Sequence, residues 1–233
     1  MDLKNVFIGF DRDGTLELAG HPIPERLIQK FQFLKNRGAT LFIASGKSYV
    51  DLQIICDRIS LNPWLYCAEN GGHIVIPDQV EWLDESSQDI LFFKDNVSNI
   101  ALPPAKLENK RLLWSRTFGA NADEAAQLLE AFVAEHQLKL DILHYRSGGG
   151  TVEVVPRGMN KTNLLQYVPE ESIIHFVGDN INDLNLMSHP RVTPHAVGNA
   201  IPSIKECVRQ KGGHVSKFEV GQGVLDILDT VFL

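Results

Sequence analysis

Cysteine is scarce in this chain, and no two cysteines are spaced as a CxxC pair. The three present, Cys56, Cys67 and Cys207, are an odd number far apart in sequence. That excludes a disulfide framework and suits small apolar residues or free thiols in a reducing compartment. No His/Cys cluster has the spacing of zinc ligands, so a zinc site is not expected. Long apolar runs are missing as well, none approaching the ~20 residues that span a bilayer. The segment Met1-Asp2-Leu3-Lys4-Asn5 has neither the basic start nor the apolar stretch of a signal peptide. A cytoplasmic protein with no membrane partner is expected. Positive charge is in deficit, with 22 Lys and Arg against 29 Asp and Glu and a net charge of -7. That argues against a broad nucleic-acid surface, although a small phosphorylated ligand needs only a local electropositive pocket or a cation.

Two nucleotide-binding motifs are also absent. Gly46-Lys47-Ser48 has the end of a P-loop, but the glycine required five residues before Gly46 is replaced by Leu41. Gly148-Gly149-Gly150 lacks the G-x-G-x-x-G pattern and precedes a strand, so it reads as a flexible loop.

What the chain does have is a series of short apolar runs, each ending in polar residues. Val6-Phe7-Ile8-Gly9-Phe10 reads as a buried strand and leads into Asp11-Arg12-Asp13-Gly14-Thr15. A helix is predicted from near Pro24, with Leu27, Ile28, Phe31 and Leu34 on its apolar face and Gly38 to stop it. Thr40–Ala44 reads as a strand ending in Ser45-Gly46-Lys47, Val50–Ile59 as a helix, and Leu65–Cys67 as a strand. Ile74–Ile76 and Val80–Trp82 suggest a hairpin. From about Asp84 the pattern changes: an amphipathic helix over Asp123–His136 and a strand over Val152–Val155, exposed on one face, suggest an α+β insert. The parallel pattern resumes with a helix from Lys161 to Tyr167, a strand over Ile173–Val177 leading into Gly178-Asp179-Asn180-Ile181-Asn182-Asp183, a helix through Leu184 and Met187, and a last strand near His195–Val197.

The alternation predicts an α/β fold: a Rossmann-like parallel sheet over residues 1–82 and 157–233, interrupted by a smaller α+β cap over 83–156. In such sheets ligands bind beyond the carboxyl ends of the strands. Asp11, Asp13, Ser45, Asp179 and Asp183 fall there, with Lys161 just past the insert. Each has a structural alternative: a turn for Asp11 and Asp13, a helix cap for Ser45, Asp179 and Asp183, and a solvated helix start for Lys161. Their recurrence in order at one sheet edge is what makes a site of them.

In that order, Asp11-Arg12-Asp13-Gly14-Thr15, Ala44-Ser45-Gly46, Lys161 and Gly178–Asp183 resemble the four motifs of the haloacid dehalogenase (HAD) superfamily of phosphotransferases. The insert resembles the type IIB α+β cap of the Cof-like, sucrose-phosphate and phosphoglycolate phosphatases. Glu69-Asn70-Gly71-Gly72, Val154–Lys161 and Ala196-Val197-Gly198-Asn199-Ala200 are similar marks, and the resemblance covers nearly the whole chain. Arg12 departs from it, because the family more often has an apolar residue between the two acids.

The resemblance implies a Mg²⁺-dependent phosphomonoester hydrolase working through an aspartyl-phosphate. Asp11 would be the nucleophile and Asp13 the general acid and base. Mg²⁺ ligands would be the Asp11 carboxylate, the Asp13 backbone carbonyl and Asp179, with Asp183 nearby. Ser45 and Lys161 would hold the phosphate oxygens, Asn182 assisting, with Gly46 beside them. Lys47 from the core, and Arg146, His144, Gly149 and Arg116 from the cap, are candidates for substrate choice. The implied substrate is a small phosphorylated metabolite such as phosphoglycolate, sucrose-phosphate or mannosyl-phosphoglycerate, handled by a monomer or homodimer. A phosphomutase on the same fold and a non-catalytic phosphometabolite sensor remain alternatives.

Overall fold

The computed structural model describes residues 2–77, 79–82, 88–108, 110–145 and 149–232. The chain divides into two compact units, residues 1–81 with 160–233, and residues 82–159.

The first unit opens with β1 (Val6–Phe10), α1 (Glu25–Asn36), β2 (Thr40–Ala44), α2 (Tyr49–Arg58), β3 (Leu65–Ala68), β4 (His73–Ile76) and β5 (Gln79–Trp82). Then follow the elements of the second unit: α3 (Gln88–Asn96), β6 (Lys106–Glu108), β7 (Trp114–Thr117), α4 (Ala122–Glu135), β8 (Leu140–Tyr145) and β9 (Thr151–Pro156). The chain returns with β10 (Ile173–Gly178), α5 (Leu184–Ser188), β11 (Val192–Ala196), α6 (Pro202–Gln210) and α7 (Val220–Val231). The fold is therefore α/β, as the alternation of apolar runs predicts.

Strand order in the first unit is β11-β10-β1-β2-β3-β4-β5, parallel from β11 to β3, with β4 antiparallel to β3. Every residue of β1 is buried, the signature of a central strand covered on both faces. Close packing explains the glycine within it: a Cβ on Gly9 would lie 2.1 Å from the Phe42 ring, which stacks on Phe176. α1 starts directly after Pro24, and Gly38, at φ +95°, follows its last turn. Ser48 caps α2 by accepting the Asp51 N–H, so Ser45 is free of that structural task. Two expectations need adjustment. Lys161–Gln166 is a 3₁₀ turn and not an α-helix, and α6 and α7 close the fold beyond the last strand anticipated from the sequence.

In the second unit the order is β6-β7-β9-β8, all antiparallel. Phe93, Trp114, Phe118, Leu129, Val152 and Val154 form the centre of its core. Here the expectation of a half-exposed strand over Val152–Val155 is wrong, because Glu153 is 3% exposed. Its carboxylate accepts hydrogen bonds from Lys110, Ser115 and Tyr145, which allows a charge to be buried on the face opposite Val152 and Val154. Gly149 and Gly150 are tied to neighbouring backbone, their carbonyls accepting the Gly119 and Phe118 N–H groups. Among the described residues, no helix is long and apolar enough to cross a membrane.

Between β10 and β11, His175 Nδ1 lies 2.9 Å from His195 Nε2, and His195 Nδ1 accepts the His214 backbone N–H. Burial lowers both rings from the ordinary 6.5, His175 to about 4 and His195 to about 3, the latter also depressed by neighbouring histidines. Unfolded, each ring takes a proton near 6.5, so the unfolded chain binds more protons below that pH. Stability is thus fully present above 6.5 and declines as the pH falls towards 4. Urea unfolding followed by circular dichroism should show that decline, and His195→Gln should lessen it, leaving the share of His175.

Candidate active site

Three strand ends and one turn of the first unit bring the polar residues together. β1 ends at Asp11, whose backbone N–H donates to Val177 O on neighbouring β10. β10 ends in Gly178 and delivers Asp179; the 3₁₀ turn Ile181–Asp183 then folds back, with Asn180 and Asp183 in a reciprocal capping box. Asp183 Oδ2 accepts the N–H groups of Asp179 and Asn180, both at 3.0 Å. Its other oxygen accepts from Lys161 Nζ at 2.6 Å, and the same ammonium donates to Asp11 Oδ1 at 2.7 Å. Lys161 is fully buried, as is Asp183, so the lysine is no solvated helix start.

Asp179 sits beside this bridge, held by the Thr15 hydroxyl at 2.9 Å. Carboxylate oxygens of Asp11, Asp179 and Asp183 all lie within 4.8 Å of one another. Two missing side chains make that gathering possible. A Cβ on Gly178 would lie 2.6 Å from Asp183 Oδ2, and one on Gly14, at φ +83°, would lie 2.4 Å from Asp179 Oδ2.

The charge does not balance: three buried carboxylates face one ammonium. Burial raises Asp11 and Asp179 well above the ordinary carboxylate range, each pushed further by neighbouring acids and pulled back in part by Lys161. Burial acts on Lys161 in the opposite direction, but Asp11 and Asp183 outweigh it and hold the ammonium charged. An all-oxygen cluster with excess negative charge fits a hard divalent cation, which Asp11, Asp179 and Asp183 would hold.

Ser45 is buried at the end of β2, next to β1 in the sheet. Its Oγ accepts the Lys47 N–H at 3.4 Å. The Ser45–Lys47 loop is fastened by the turn after β3, where Asn70 N–H donates to Ser45 O and Glu69 N–H to Lys47 O. Both residues take left-handed conformations, φ +48° at Glu69 and +55° at Asn70, a strained arrangement for side-chain-bearing residues. The Asn70 side chain also accepts from Asn182 Nδ2 at 3.2 Å and packs against Gly46. Asn70 and Thr15 are thus parts of the site to which sequence reasoning assigned no role; the Glu-Asn-Gly-Gly turn and the motif containing Thr15 were the available signals.

Asp13 stands apart from the carboxylate cluster. Its side chain is half exposed and faces the Arg12 guanidinium at 3.4 Å. Lys47 is half-buried. His144, in the second unit, has Nδ1 3.5 Å from Asp123 Oδ1. In the same unit the Arg116 guanidinium lies over the Trp114 ring, 5.1 Å from its centroid. Gly149 adopts φ +97°, and Arg146 lies outside the described residues.

A family model for haloacid dehalogenase-like hydrolases matches residues 8–101 and 84–228. YkrA of Bacillus subtilis (strain 168) is 26% identical over 88% of this chain and 90% of its own length. The HMP-PP phosphatase of Yersinia pestis (strain Pestoides F) is 24% identical over 84% of this chain and 85% of its own. Among solved structures, the sucrose-phosphatase of Synechocystis sp. PCC6803, in complex with sucrose and phosphate, superposes with a TM-score of 0.73 at 18% identity, covering 97% of this chain and 98% of that one. That likeness establishes the fold, a core sheet with an inserted second domain.

Removing the ammonium would leave buried carboxylates uncompensated. Lys161→Met should lower unfolding free energy by about 3–5 kcal/mol, the usual result of breaking one side of a buried ion pair. Urea titration of the two proteins checks it.

Proposed function

From the premise that the chain belongs to the haloacid dehalogenase-like hydrolase family and is a phosphoric monoester hydrolase, we propose that it transfers the phosphoryl group of a small metabolite to Asp11 and then to water. The observation that carries this reading is the Lys161 ammonium bridging Asp11 and Asp183 beside Asp179, at the carboxyl edge of the sheet. It leaves a carboxylate at the end of β1 oriented from behind, in surroundings that call for a cation. Phosphoryl transfer depends chiefly on such positioning and charge stabilisation.

In the first step an Asp11 oxygen bonds to phosphorus while the ester oxygen leaves, taking a proton from Asp13. In the second, Asp13 takes a proton from water as that water attacks phosphorus and releases the Asp11 carboxylate. Asp11, Asp179, Asp183 and the Asp13 backbone carbonyl would hold Mg²⁺, which would supply the positive charge that lets an anionic nucleophile meet an anionic phosphate. An ammonium has three donors. Two of those on Lys161 hold Asp11 and Asp183, and the third serves a phosphoryl oxygen together with the Ser45 hydroxyl and Asn182. We assign substrate choice to the second unit, with His144, Arg146 and Gly149 as candidates, and to Lys47 of the first. The second unit's place as an insert between two stretches of the sheet supports that assignment. The substrate class, a small phosphorylated metabolite, is supported by the phosphatases named above.

Asp11→Asn should fold normally and lose phosphate release across a panel of phosphoglycolate, sugar phosphates and sucrose phosphate; full turnover in that variant would remove Asp11 as nucleophile. Adding Mg²⁺ to chelator-treated protein should raise its thermal midpoint, by preferential binding to the folded state. Asp179→Asn should abolish that rise, and an equal rise in both proteins would remove Asp179 as a ligand. Equimolar isomerised sugar phosphate in place of inorganic phosphate would identify a phosphomutase.

A further inference from the structure

Arg12, the residue that departs from the family pattern, is built into the turn that carries Asp13. Its backbone carbonyl accepts the N–H groups of Thr15, Leu16 and Glu17, at 3.3, 2.9 and 3.1 Å. Its side chain closes the same turn a second time, with Nη2 2.6 Å from Glu17 Oε1. The other Glu17 oxygen is taken by Arg58, the last residue of α2. Nη1 of Arg12 then reaches both carboxylate oxygens of Asp13, at 3.4 and 3.5 Å. The result is a chain of alternating charge, Arg58–Glu17–Arg12–Asp13, anchored on a helix and ending at the acid.

Exposure along this chain decides what it does. The Arg12 side chain is 20% exposed and that of Glu17 19%, whereas that of Asp13 is 51% exposed. Arg12 Nε is fully enclosed without a hydrogen-bond partner, so the guanidinium is packed in place. Among the described residues, no other side chain hydrogen-bonds or ion-pairs with the Asp13 carboxylate. An exposed ion pair adds little stability. Orientation is a different matter, because a general acid works only within hydrogen-bond reach of the leaving oxygen, and a half-exposed carboxylate has several rotamers to occupy.

We propose that Arg12 is a positioning residue, holding the Asp13 carboxylate in the rotamer that protonates the leaving group, with Glu17 and Arg58 holding Arg12. This rests on Asp13 being the general acid. Its signature is selectivity by leaving group. An alkoxide needs a proton as it departs, whereas p-nitrophenolate leaves without one, and kcat/KM reports the first phosphoryl transfer.

The experiment compares kcat/KM for p-nitrophenyl phosphate with that for phosphoglycolate, glucose 6-phosphate and glycerol 3-phosphate, in Arg12→Gln, Arg12→Lys and Glu17→Gln. Arg12→Gln is expected to lose about tenfold on the alkyl phosphates and under about threefold on the aryl ester, a fraction of the 10²–10⁴ that general acids typically contribute. Arg12→Lys should recover part of the loss, and Glu17→Gln should reproduce it with Arg12 still present. Equal losses on both ester classes, or no loss on either, would overturn the proposal; thermal midpoints identify a variant that has unfolded, and Glu17→Gln then decides. Asp11→Asn run in parallel separates the two readings, since turnover there removes the phosphatase mechanism, while an inactive Asp11→Asn with unselective Arg12→Gln removes only the role of Arg12.

Discussion

The structure of the first unit depends on a single buried ammonium. Lys161 is the cation that lets Asp11 and Asp183 lie side by side out of water, with Asp179 beside them. Without it, three carboxylates would repel one another across a low-dielectric gap. Other features follow from that demand: the absent side chains at Gly14 and Gly178, the backbone N–H groups turned onto Asp183, and the Thr15 hydroxyl on Asp179. One cation still cannot balance three anions, and the negative charge left over is what makes the cluster one that could hold a metal ion.

A second layer holds the loops that surround the cluster. The turn after β3 places two side-chain-bearing residues in left-handed conformations in order to aim two N–H groups at the Ser45–Lys47 loop. Asn70 joins that loop to Asn182, so strands β2, β3 and β10 are linked through one side chain. On the other side, Asn199 donates to Gly14 O and accepts from Val220 N, joining the Asp13 turn to α7.

The parallel core was legible because its strands are short continuous apolar runs, and Asp11, Ser45 and Asp179 are the first polar residues after three of them. Asp11 and Asp179 could be placed for that reason, since strand position alone puts them at the sheet edge. Glu153 was misread because alternation reports chemistry and not burial: a glutamate in a strand signals solvent unless something pairs with it, and Lys110 is far away in sequence. Asn70, Thr15 and the chain from Arg58 to Asp13 were hidden for the same reason. Their partners lie up to 164 residues away, beyond the reach of any periodicity. The closing helices α6 and α7 are legible too, since Ile204 and Val208, and Val220, Val224, Leu225, Ile227 and Leu228, recur at helical spacing.

The order of strands has a bearing on how the chain is made. β1 lies in the middle of its sheet, yet its neighbour β10 is synthesised more than 160 residues later, after the whole second unit. A ribosome that has released only the first half leaves a fully apolar strand with one bare edge, the kind of surface that invites pairing with other chains. Lys161 arrives on the same late segment. Until then, Asp11 has no counter-charge to be buried against, so the completion of the sheet and the completion of the site are one event in the life of the nascent protein.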